Sequence, residues 1–273
     1  MNERILSRED YEEPRCPLCR PGLVTPIPVS RVIGRLDEYL GRADYPAAER
    51  HLACWLAEAE AGHDRRGMLT VLNEQAGLYR KLDRETEGLR AAEAALALAR
   101  TPEFADSVTL GTTMVNAATV YKAFGRAEAA LPLYRQAQTI YERFLPEDDA
   151  RLGGLYNNMA LTLTELGEWR AAEALFEKAL RIMARQEHGE AEQAITLCNL
   201  ADLAAAELGA EAAETQIGAY LSKALTLLDT ESLPRDGDYA FVCGKCACAF
   251  GYHGWFFAEE ELRRRAKEIY ERS

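Results

Sequence analysis

Small residues recur in this chain at a fixed interval. Ala118, Gly125, Ala130 and Ala137 reappear 42 positions later as Ala160, Gly167, Ala172 and Ala179. One step of 42 upstream gives Ala76, Asp83, Gly88 and Ala95, and further copies follow at Ala201, 41 residues on, and Ala247, another 46 on. A looser first copy places Leu36 near the anchor and Ala48 where Ala172 stands, which makes six. A period of this length marks an array of identical supersecondary units, because each unit exposes an apolar face that only its neighbour covers. An alanine-rich globular bundle has no reason to repeat its small residues at 42, 42 and 41.

Each unit reads as a pair of helices. Leu155, Met159 and Leu163 form one apolar stripe at helical spacing, and Leu175, Phe176, Leu180 and Met183 form another, with the break at Leu166-Gly167-Glu168. Alanine keeps helix propensity high and lets helix axes approach to roughly 8 Å, while Tyr, Phe and Trp fill the wedges between them. The expected fold is an all-α solenoid of about six stacked helix pairs. The units span about residues 31–62, 65–100, 104–145, 148–185, 189–229 and 237–272, behind an arm of residues 1–30 that carries prolines and cysteines.

Composition excludes several function classes. The 273 residues are 48% hydrophobic and 28% charged, which suits an ordered globular chain. A formal charge of −12 with no basic cluster repels phosphate backbones and argues against nucleic acid. Charges interrupt every apolar run before the roughly 18 residues that a membrane span needs, so no membrane partner is expected. The opening MNERILSREDYEEPRC has charges where a signal peptide has its apolar core. Seven cysteines, an odd number, fit free thiols in a reducing compartment better than a disulfide framework. The expected location is the cytoplasm.

The order of small, Gly, aromatic, Ala, aromatic and Ala in Ala160, Gly167, Trp169, Ala172, Phe176 and Ala179 resembles the tetratricopeptide repeat (TPR). The long period, with an Asn two residues before the anchor in Asn116, Asn158 and Asn199, is similar to the repeats of the kinesin light chain type. The resemblance covers residues 31 to 272 and is strongest in the three central copies. It implies a right-handed superhelix whose first helices line a concave groove, and a protein that binds other proteins. Two features depart from the pattern: Gly88 and Pro46 stand where second helices would be weakened, and Lys245, Cys246 and Cys248 surround the last anchor.

No catalytic constellation emerges. The four histidines fall in different repeats, and the chain has no HExxH, P-loop or GxSxG motif, so no enzyme is expected. Cys16-Pro-Leu-Cys19 and Cys243-Gly-Lys-Cys246 are CxxC pairs of the spacing that zinc sites use, but they lie at opposite ends of the array. Reduced, partly buried thiols are the favoured reading, with no cofactor and with zinc as the minor alternative. The aromatic run YAFVCGKCACAFGYHGWFF reads as a cap on the last repeat, with the polar ELRRRAKEIYERS helix outside it.

The groove carries the functional expectation. Positions three before, one after and four after each anchor share a face of the first helix. They present Asn73, Gly77 and Arg80, then Val115, Thr119 and Lys122, then Asn157, Leu161 and Thr164, then Cys198, Asp202 and Ala205. The candidate peptide-binding residues are Asn73, Arg80, Thr119, Lys122, Asn157 and Thr164, with the amides suited to a peptide backbone and the two cations to a carboxylate. Such a chain is a protein-interaction module that holds a peptide or protein segment. The alternative is a structural or self-assembling scaffold, a homo-oligomer acting through the N-terminal arm and the aromatic C-terminal cap.

Overall fold

The computed structural model describes residues 24–272, and among them it contains twelve α-helices and no strand. The helices run in six pairs: α1 (Val29–Gly41) with α2 (Tyr45–Ala61), α3 (Arg65–Lys81) with α4 (Glu85–Ala99), and α5 (Val108–Ala123) with α6 (Ala127–Phe144). They continue as α7 (Ala150–Glu165) with α8 (Trp169–Met183), α9 (Glu190–Leu208) with α10 (Glu214–Leu228), and α11 (Gly237–Tyr252) with α12 (Phe256–Tyr270).

The helix boundaries follow from local chemistry. Asp44, Asp64, Ser107, Asp149 and Asp236 cap the starts of their helices by accepting backbone N–H groups within the first turn. Inside every pair the chain reverses through one residue in the left-handed region: Ala43, Asp83, Gly125, Gly167, Gly209 and Gly254 all have φ between 53° and 86°. At Gly167 the reversal closes with the amides of Gly167 and Glu168 donating to Thr164 and Leu163 carbonyls, a helix stop that favours glycine. The periodic Gly or Asp of the sequence is therefore the turn residue of the last five units, with Ala43 in its place in the first.

The anchors fill the contacts between helices. Ala76, Ala118, Ala160, Ala201 and Ala247 are all buried, as are Ala48, Ala130, Ala172 and Ala179 in the second helices. The core runs along the array as three successive clusters. The first holds Ile27, Leu36, Leu52 and Trp55, the second Tyr134, Tyr141 and Leu155, and the third Phe176, Leu221, Phe250 and Leu262. Extensive helix contacts join only chain neighbours and successive first helices: α3 with α5, α5 with α7, α7 with α9, and α9 with α11. No pair of second helices makes comparable contact, so the first helices form the closer-packed inner wall.

Two expectations about weak points change. Pro46 lies in the first turn of α2, where a missing N–H costs nothing. Gly88 is buried in α4, and a Cβ there would come within 3.1 Å of the Phe124 ring, so glycine makes room for that aromatic. Neither residue weakens its helix. Residues 24–28 lie against the first repeats, with the Thr25 amide donating to the Gly62 carbonyl at 2.8 Å and the Ile27 amide to Asp64 Oδ2 at 2.9 Å.

The C-terminal cap divides. Phe250 is fully buried and meets Trp255 edge-on at 5.8 Å, but Tyr252, Phe256 and Phe257 are exposed. Outside them α12 carries ion pairs along its own length, among them Arg263 with Glu259 and Arg264 with Glu261 and Glu268. No helix among the described residues is long and apolar enough to cross a membrane.

Candidate functional site

The six candidate groove residues all sit on the first helices α3, α5 and α7, but four of them are engaged within the fold. Asn73 donates to the Leu69 carbonyl and to Thr113 Oγ1, and its Oδ1 accepts from Asn116 at 3.2 Å. Asn157 Oδ1 accepts from Asn199 Nδ2 at 3.0 Å and from Thr196 Oγ1 at 3.3 Å. These are rungs between the first helices of adjacent repeats. Thr119 donates to the Val115 carbonyl and shares a 2.9 Å hydrogen bond with the Tyr134 hydroxyl, and Thr164 donates to the Ala160 carbonyl. The amides and hydroxyls that looked free in the sequence hold the wall together.

Arg80 and Lys122 are different. Arg80 is exposed and has no hydrogen bond or ion pair among the described residues. Lys122 keeps only 18% of its side chain exposed, and its Nζ lies 3.8 Å from Glu165 Oε1 of the next repeat. Burial pushes the Lys122 pKa down, Glu165 partly offsets this, and the charges of Arg80 and Lys245 push it further down. Arg80 also acts on the buried Tyr134 hydroxyl, whose pKa burial raises to about 12. The two cations are therefore near enough to act on each other's charge. Lys245 of α11, three repeats beyond Lys122, also acts on its charge, and its own ammonium rests over the Phe241 ring at 5.6 Å.

A second polar group lies further along the wall. His253 Nε2 meets Asp202 Oδ1 at 2.8 Å, with the imidazole 4% exposed and the carboxylate 49% exposed. Burial raises the Asp202 pKa, and the His253 contact lowers it in part. Asp202, Ala205 and Ala206 of α9 and Cys248, Ala249 and Tyr252 of α11 line a depression of about 370 Å³.

The cysteine pair of α11 lies inside the core. Cys243 and Cys246 are buried, and Cys246 contacts the thiol of Cys198 on α9. That contact and burial push the Cys246 pKa up, and burial does the same to Cys243. Among the described residues no group of three or more His, Cys, Asp or Glu side chains is placed to hold a metal ion. Cys16 and Cys19 lie outside the described residues.

Two tetratricopeptide repeat family models match the chain, over residues 67–143 and 153–192. No curated protein matches it. Among solved structures, the nearly identical TPR-like repeats of a Podosopora anserina protein described as a kinesin light chain superpose with a TM-score of 0.53 at 16% identity. That match covers 74% of this chain and 94% of that one. A point variant of the same repeats gives 0.55 at 17%, covering 76% and 95%. NprR in complex with its cognate peptide NprX gives 0.51 at 16%, covering 90% of this chain and 70% of that one. The middle repeats thus match tetratricopeptide repeat models over residues 67–143 and 153–192, and the solenoid on either side of them has the fold of TPR-like repeat structures, which together support a protein-interaction scaffold in general.

Proposed function

We propose that the inner wall binds an extended segment of a partner protein, with Arg80 and Lys122, joined by Lys245, receiving an anionic group on that segment. The observation that carries this reading is that the largely buried Lys122 of α5 feels the charges of Arg80 on α3 and Lys245 on α11, in a chain of net charge −12. A local positive field on an acidic molecule orients an anionic ligand and raises its encounter rate. Arg80 is free to form a bidentate pair with a carboxylate, and Lys122 is already partly desolvated, which strengthens any new pair it makes. NprR, a neighbour in fold, is a protein solved with a peptide bound, which is consistent with a peptide on a wall of this kind.

Selection from a random peptide library by the full chain tests the reading. The selected sequences should be enriched in Asp, Glu or a free C-terminal carboxylate. Selection of basic or purely apolar sequences would contradict it. A second reading, self-assembly through the C-terminal end, is favoured by the exposed rings of Tyr252, Phe256 and Phe257. Under that reading the Phe256→Ser, Phe257→Ser double variant would stay monomeric at concentrations where the unaltered chain associates.

A further inference from the structure

The depression between α9 and α11 has a chemistry opposite to that of the Arg80 and Lys122 site. Its floor is apolar, built from Ala205, Ala206 and Ala249. One end carries the Asp202 carboxylate, fixed by the buried His253 imidazole through Oδ1, so that Oδ2 is left for a ligand. The rim carries the Tyr252 ring, 78% exposed. It meets His253 in a T-shaped contact at 5.0 Å, and most of the ring stays open to solvent. A volume of about 370 Å³ has room for one long side chain.

We propose that this depression is a subsite for a lysine or arginine side chain of the bound segment, with Asp202 pairing the cationic head, Tyr252 stacking on it and the three alanines covering its methylene stem. This rests on the reading of the inner wall as a peptide-binding surface, and gives that surface a direction: an anionic group toward α3 and α5, a basic one between α9 and α11.

The charges around the depression agree with a cationic guest. Arg263 of α12 approaches Cys248, but Glu259 holds its guanidinium at 2.8 Å and 3.0 Å. Glu259 itself lies over Gly251, one residue from Tyr252. Lys245 reaches back over Phe241, toward the start of α11 and away from Tyr252. The net local charge from Asp202, Glu259 and Arg263 is negative. A carboxylate whose orientation is fixed in advance forms a charge-assisted pair without an ordering cost, and an exposed tyrosine face adds a cation–π contact. The alkyl stems of Lys and Arg lie readily along apolar surface while the head stays polar.

The test uses the full chain labelled with ¹³C at its alanine methyls and titrated with acetyl-Gly-Lys-Gly-amide, its Arg counterpart and its norleucine counterpart. The Ala205, Ala206 and Ala249 signals should move with the Lys and Arg peptides and stay in place with norleucine. Asp202→Asn, which keeps the shape and can still bond His253, should weaken the Lys peptide about tenfold, the scale of one charge-assisted pair. Tyr252→Ala removes an exposed ring, leaves the fold intact and should weaken binding about threefold. No shift with either basic peptide, an equal shift with norleucine, or an unchanged affinity in Asp202→Asn would overturn the subsite. The probe carries no acidic group, so the outcome is separate from that of the library. Alanine shifts that persist while the library yields no acidic sequences would leave the subsite standing and remove the Arg80 and Lys122 reading.

Discussion

Phe176→Ala should lower the free energy of unfolding by about 3–5 kcal/mol, read from urea denaturation followed by far-UV circular dichroism. Phe176 is fully buried, and it shares a core with Ala160, Leu163 and Ala172 of its own pair and with Leu197 and Ala201 of the next repeat. The alanines around it sit at helix contacts and cannot grow into the space a lost ring leaves. The cavity therefore persists, and its cost adds to the lost transfer free energy. Phe257→Ala provides the contrast: that ring is 92% exposed, so its removal should change stability by no more than about 0.5 kcal/mol. A loss under about 1 kcal/mol at Phe176 would mean that the repeats do not stack through this ring.

The second large effect is on binding. The Arg80→Ala, Lys122→Ala double variant should weaken the library-selected acidic peptides by about 2 kcal/mol, close to thirtyfold, measured by fluorescence polarisation. Its stability should change by no more than about 1 kcal/mol. Arg80 makes no pair that holds the fold. Lys122 has a folded-state pKa below its unfolded value, because burial and two neighbouring cations disfavour its charge. The unfolded chain then holds that proton more tightly, so the charged lysine opposes folding at neutral pH, and stability from this group grows as pH rises toward the ordinary lysine range. Removing the charge relieves that penalty, and the loss of the partly buried methylene stem and of the Glu165 pair opposes the gain. A variant that bound acidic peptides as before would place the contact elsewhere, and one that unfolded would show both side chains to be structural.

Much of the architecture was legible because the repeat is written in residues with a single physical use. An alanine at the last five anchors and a Gly or Asp at the last five reversals have few readings other than close helix contact and a left-handed turn, and the structure puts Ala160 in the core and Gly167 at φ 75°. Offsets along one helix also put Arg80 and Lys122 at equivalent positions of adjacent first helices, each four residues past its anchor. The Asn positions show where such offsets stop being informative. Asn73 and Asn157 share a face with the two cations, yet each is consumed by an Asn two residues before the next anchor, Asn116 and Asn199. The recurrence of those Asn residues was visible as a pattern, but its meaning as a rung required knowing which position of one repeat opposes which of the next. Asn158 completes the logic: its counterpart in the preceding repeat is Val115, which offers no polar atom.

Lys245 and the Asp202–His253 pair were out of reach for another reason. Lys245 influences Lys122 across three repeats, and Asp202 meets His253 from 51 residues away. How far one first helix lies from a later one depends on the rotation accumulated at each stacking step, and that is set by side-chain packing, not by the period. Pro46 and Gly88 misled in the opposite sense, because a propensity scale takes no account of a first-turn position or of the space Phe124 needs.

The account depends most on where a partner lies. A library-selected acidic peptide carrying a photoreactive benzoylphenylalanine, cross-linked to the full chain and mapped by mass spectrometry, reads this directly. The account predicts cross-links on α3, α5, α7, α9 and α11, clustered within a turn or two of Arg80, Lys122 and Asp202. Cross-links confined to Phe256, Phe257 and the outer face of α12, with the first helices unlabelled, would contradict it.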